Sequence, residues 1–173
     1  MITKTDAAPK RAALLPTKND LPEKARRQAV DLLNVRLSLA IDLAMQAKLA
    51  HWNVKGPSFQ GLHELFEEVA QASYRFADDL AERAAQLGGV ADATVQVVAG
   101  RTSLSPYPLD IFDGRAHIDA LSTALAGFAR HMRSAITEAA DLDDEVTVDL
   151  CTEVSRKVDK LLWQVEVHAH TDR

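Results

Sequence analysis

The sequence contains a single cysteine, Cys151, so no disulfide can close within the chain, and that count fits a reducing compartment. Six prolines and seven glycines are few for 173 residues, and several fall together, which leaves long uninterrupted stretches for helix. No apolar run approaches the roughly 18 residues that a membrane-spanning helix needs. The first residues also lack the continuous apolar core of a secretory leader, so the expected location is the cytoplasm. Excess positive charge is missing too. With a net charge of -5 the folded body has no general attraction for nucleic acid, and any such contact needs a local basic segment. What remains, 47% hydrophobic and 26% charged, suits one globular domain with a substantial core.

Residues 1–20 read as a basic tail, with Lys4, Lys10, Arg11 and Lys18 among prolines and little apolar periodicity; residues 21–173 read as the folded domain. Asn19-Asp20-Leu21-Pro22 has the chemistry of a helix start, and good helix formers follow as far as Lys55, where Gly56-Pro57 stops them. A second long helix is expected from Ser58 or Phe59 to Leu87, ended by a left-handed cap at Gly88-Gly89. A long connection follows to about Asp113, with room for a short helix near Asp92–Val98. The third long helix shows Ile118, Leu121, Leu125, Phe128, Met132 and Ile136 at three- and four-residue spacing; the fourth shows Val154, Val158, Leu161 and Val165. No internal repeat or strand pair is evident. Four amphipathic helices with short first and last turns and one long middle connection describe an all-α, ferritin-like four-helix bundle, with a short extra helix in that connection.

The second helix carries two polar pairs at i, i+4 spacing, His63 with Glu67 and Asp78 with Glu82. Either pair alone is more often a solvated surface pair than a ligand set. Together they fall on one side: with His63 at zero and about 100° per residue, Glu67, Asp78 and Glu82 lie near 40°, 60° and 100°. Leu62, Phe66, Val69, Phe76, Leu80 and Leu87 fall on an adjoining stripe that marks the core, so the potential ligands stand beside the core and not in it. Glu67 and Asp78 are about 16 Å apart along a straight helix, whereas metal bonds to oxygen or nitrogen are near 2 Å. Either each pair acts alone, or a reversed second copy sets its Asp78 and Glu82 opposite His63 and Glu67. His51, near the end of the first helix, can reach the His63 end. No Glu is followed by His three residues later, which argues against a di-iron centre within one bundle.

Ala50-His51-Trp52-Asn53, Lys55-Gly56-Pro57, His63-Glu64-Leu65, Ala81-Glu82-Arg83 leading to Gln86-Leu87-Gly88-Gly89, Tyr107-Pro108-Leu109-Asp110-Ile111, Ser155-Arg156, Asp159-Lys160 and Leu162-Trp163 together give the chain a strong resemblance to the Dps family. These are the DNA-protecting ferritin-like proteins of starved bacterial cells. The resemblance covers nearly everything beyond the tail. It implies a twelve-subunit shell with an iron site at each two-fold interface, where Fe(II) is oxidised, preferentially by hydrogen peroxide, and ferric iron is stored in the cavity. His51, His63, Asp78 and Glu82 match the family's ligands; Glu67 stands where the family usually has Asp. Trp52 matches a tryptophan beside the site, either an electron donor to a stray oxidant or simply a packing residue.

The resemblance also suggests cation-attracting pores at the start of the fourth long helix, where Asp141, Asp143, Asp144, Glu145 and Asp149 gather. Asp149 matches a pore position; capping and dipole complementation account for the others. Residues 1–18 carry four basic residues against Asp6, a multivalent DNA contact when repeated around a shell. His117, His131, His168 and His170 read as surface or interface residues, and Met45 and Met132 as packing residues. The leading expectation is a ferroxidase and iron store. A DNA-compacting protein with secondary iron chemistry and a metal-free structural bundle are the other classes.

Overall fold

The computed structural model describes residues 13–170. Five helices occur in the order α1 (Glu23–Asn53), α2 (Phe59–Gln86), α3 (Val95–Arg101), α4 (Gly114–Ala140) and α5 (Glu145–Val167). Among the described residues there is no strand, only an isolated bridge between Lys55 and Asp113. The all-α bundle expected from the periodicity is therefore the observed architecture.

α1 packs on α2 and α4 on α5, while α1–α4 and α2–α5 contacts close the four-helix square; the short α3 lies on α1. The core stripe of α2 is the one its spacing predicts. Leu62, Phe66, Val69, Phe76, Leu80 and Leu87 are all at most 2% exposed. Phe76 and Phe128 stack with ring centroids 6.3 Å apart, joining α2 to α4. Each such buried side chain contributes about 1.5–3 kcal/mol relative to exposure.

Chain reversals fix the direction of each helix. Val54 ends α1, and Gly56 turns the chain with φ 111°, a left-handed conformation that favours glycine. Gly88 ends α2 with φ 85°, the left-handed stop expected there. A Cβ at Gly88 would lie 2.5 Å from the Leu15 carbonyl oxygen, and the Leu15 N–H donates to the Gly88 carbonyl at 2.7 Å. The last residues of the expected tail are thus bound to the α2 end of the bundle, and Leu14 packs on the core. The connection after α2 starts at this end, where Asn34 donates to the Val90 carbonyl. It finishes at the opposite end, where Lys55 N–H donates to the Phe112 carbonyl. α4 consequently runs parallel to α2.

Local capping differs in detail from the expectation. The Asn19 side chain accepts from the Leu21 N–H, one turn before α1, and Pro22 opens the helix without a side-chain cap. The short helix begins at Val95 instead of near Asp92, because Asp92 is engaged outside it: its N–H donates to Asn34 and its carboxylate pairs with Arg101. Asp113 and Asp144 cap α4 and α5 by accepting from the Ala116 and Thr147 N–H groups.

Candidate metal centre

The turn between α1 and α2 brings His51 and His63 face to face. Their rings stack at 3.7 Å between centroids and 20° between planes, with Phe59 against His63 at 5.0 Å. Each Nδ1 lies 2.8 Å from the other residue's backbone carbonyl oxygen. A carbonyl only accepts, so each Nδ1 carries a proton and donates it, which leaves Nε2 as the nitrogen available to a ligand. Metal-binding histidines are commonly prepared in this way, with the second nitrogen held by a backbone carbonyl. The reciprocal bonds also fix α1 to α2 at these two histidines.

Glu67, one turn along α2 from His63, completes the cluster. Its Oε2 is 3.5 Å from His51 Nε2 and 2.5 Å from Lys48 Nζ, and its Oε1 accepts from Gln71 at 3.1 Å. The Lys48 hydrogen bond, with that of Gln71, holds the Glu67 carboxyl below its ordinary value. A carboxylate and an imidazole lone pair thus converge where Lys48 now supplies the positive charge. Sequence reasoning missed Lys48, although it sits three residues before His51 on the same face of α1. Its ammonium also lies 5.6 Å from the centroid of the exposed Trp52 ring.

Asp78 and Glu82 do not join this group. Both are exposed on the later turns of α2, as the separation along the helix requires. Among the described residues, no three His, Cys, Asp or Glu side chains of one chain gather to hold an ion. The chain presents two half-sets on one face: His51, His63 and Glu67 at one end, Asp78 and Glu82 toward the other.

Glu82 lines a polar crevice of about 240 Å³ between α2 and α5, together with Asp79, Asp149 and Glu153. Asp141, Glu145 and Asp149 are exposed. Asp144 is not: its side chain is 1% exposed and bonds Arg83 at 2.7 Å and Thr147 at 2.5 Å, which removes it from any solvent-lined passage. His117 also departs from expectation, since it is 1% exposed and not a surface residue. In the tail, Lys18 is exposed, while Lys4, Lys10 and Arg11 lie outside the described residues.

A four-helix bundle with a long crossover between its second and third long helices is the ferritin-like architecture, and residues 30–173 match the Ferritin-like domain family. The chain is 41% identical over 152 residues to the "DNA protection during starvation protein" of Agrobacterium fabrum, covering 88% of this chain and 94% of that one. A Dps structure from Mycobacterium smegmatis is similar with TM-score 0.83 and 30% identity, covering 91% of this chain and 94% of the other. Dps from Microbacterium arborescens in a high iron form gives TM-score 0.82 at 27% identity, over 90% and 99% of the two chains. The chain belongs to the Dps family of the ferritin-like superfamily.

Proposed function

We propose that this chain is a cytoplasmic ferroxidase and iron-storage subunit whose metal centre is completed by a second copy. The observation that carries this reading is the reciprocal locking of His51 and His63 through their Nδ1 atoms, with His51 Nε2 turned to the Glu67 carboxylate. A reversed neighbour across a two-fold axis delivers Asp78 and Glu82 to that cluster, giving Fe(II) two imidazoles and up to three carboxylates. Oxygen-rich, anionic shells stabilise Fe(III) more than Fe(II), which lowers the driving force needed for oxidation. Hydrogen peroxide serves as the preferred acceptor, and a homododecameric shell stores the ferric product. Exposed Asp141, Glu145 and Asp149 favour Fe(II) entry by their negative charge. The Agrobacterium fabrum DNA protection during starvation protein and the high iron form of Microbacterium arborescens Dps, both similar to this chain, support the same reading.

The test is peroxide-dependent Fe(II) oxidation by stopped-flow absorbance. Replacing His51 and His63 together with Ala is expected to abolish the fast phase while the assembly keeps its size by gel filtration. Unchanged kinetics in an intact assembly reject the site. Protection of DNA follows from removing iron and peroxide together, and the basic tail adds non-specific contact with phosphates. Removing residues 1–12 takes away Lys4, Lys10 and Arg11 but spares the Leu15–Gly88 bond. Gel retardation is expected to vanish in that truncation and to weaken steeply with salt in the full chain; retardation that persists rules the tail out.

A further inference from the structure

One buried group near the site has no role in ligation. The Tyr107 hydroxyl lies 2.8 Å from His117 Nδ1, and the two rings stack with centroids 6.0 Å apart. His117 is 1% exposed, and its Nε2 makes no hydrogen bond of ordinary geometry. A buried imidazole nitrogen so placed is costly, and such groups recur where redox or proton chemistry needs them. His117 packs against the helix that carries His63 and Glu67, its ring centroid 6.5 Å from that of the core residue Phe66.

We infer that Tyr107 and His117 form a proton-coupled redox pair that holds the second oxidising equivalent of peroxide during iron oxidation. This rests on the ferroxidase reading above. When one Fe(II) reduces hydrogen peroxide, the iron becomes Fe(III) and the O–O bond breaks to give hydroxide and a hydroxyl-radical-level oxidant. That oxidant takes one electron from the Tyr107 phenol and becomes hydroxide, while the phenol proton moves to His117 Nδ1. A second Fe(II) returns an electron to the tyrosyl radical, the proton moves back, and the iron leaves as Fe(III). The sum is one peroxide and two Fe(II) giving two hydroxides and two Fe(III), with the pair restored.

The surroundings suit the role. Burial pushes the His117 imidazole below its ordinary value, against weaker opposing effects of Asp113 and the Asn53 carbonyl, so it rests neutral and can accept a proton. Burial likewise raises the Tyr107 phenol, so it stays protonated until oxidised. The alternative donor, Trp52, has the Lys48 ammonium over its ring, and a cation there opposes formation of an indole radical cation.

The experiment uses the assembled full-length protein, Fe(II) and hydrogen peroxide, with rapid-freeze electron paramagnetic resonance and a hydroxyl-radical spin trap. A neutral tyrosyl signal is expected in the wild type. Tyr107→Phe is expected to lose it and to release several-fold more trapped radical. His117→Asn sets an amide oxygen near the Nδ1 position, so it accepts the phenol hydrogen bond but cannot take the proton. Loss of the signal in this variant separates proton transfer from mere positioning. The chain has two tyrosines, so a signal unchanged in Tyr107→Phe belongs to Tyr74 and overturns the proposal. Fast iron oxidation without any tyrosyl signal overturns it while leaving the ferroxidase reading intact. Absence of fast oxidation in the wild type overturns both.

Discussion

In the proposed centre, Lys48 and Fe(II) compete for the Glu67 carboxylate. The Lys48–Glu67 pair is partly exposed, with side chains 20% and 32% accessible, so its worth is that of a screened contact, about 1 kcal/mol. Lys48→Met keeps the apolar stem and removes the charge. Apparent Fe(II) affinity, measured by anaerobic titration, is expected to rise about five-fold, the equivalent of that ~1 kcal/mol. The sign of any pH effect follows from Glu67. Its carboxyl is depressed by Lys48, so the pair's stabilisation is present above the ordinary carboxylate value and is lost only as pH falls through the depressed one. Glu67 is therefore ionised throughout the neutral range, and the affinity ratio of variant to wild type is expected to stay constant there. A ratio that collapses to one at neutral pH contradicts the competition. At this scale the sequence was informative about which candidate side chains share a helix face and silent about what else they touch. His63 and Glu67 were legible because i, i+4 spacing is fixed by helix geometry. Lys48 and the burial of His117 were not, because both depend on how the helices pack against each other.

At the level of elements, the four long helices were readable because core periodicity and glycine stops pointed the same way. Boundaries agreed within a few residues for α1 and α2, whose ends are set by Gly56-Pro57 and Gly88. The short α3 was displaced because its start is decided by distant partners of Asp92 and Arg101. The tie between α2 and α5 was likewise invisible in sequence. Arg83 and Asp144 form a buried ion pair, 8% and 1% exposed, and Arg83 Nε also donates to Thr147 Oγ1 at 3.0 Å. Asp144→Ala removes the α5 cap and strands a buried guanidinium, which costs about 3–5 kcal/mol. Asp144→Asn keeps an acceptor for the Thr147 N–H and is expected to lose less. Urea unfolding at one fixed protein concentration tests the order, and equal midpoints for the two variants refute the contribution of the cap.

At the scale of the whole molecule, the outward face of α2 poses a geometric problem. His63 and Glu67 stand at one end of a rigid rod, with Asp78 and Glu82 about 16 Å farther along it. In a reversed pair of such rods, one end of each copy meets the other end of its neighbour, so two equivalent centres form, each drawing residues from both chains. This arrangement makes a prediction that no arrangement within one chain shares. One variant lacks the histidines (His51→Ala with His63→Ala), and another lacks the acids (Asp78→Asn with Glu82→Gln). Each is expected to be inactive alone. Mixed and reassembled in equal amounts, half the pairs contain one chain of each kind. In such a pair one centre inherits both defects and the other inherits none. About a quarter of the wild-type centres are thereby restored, and peroxide-dependent Fe(II) oxidation is expected to recover to roughly that fraction. If the mixture stays as inactive as its components after verified co-assembly, the histidines and acids do not meet across a two-fold axis. If either variant is active alone, its missing residues are not ligands of the reacting iron.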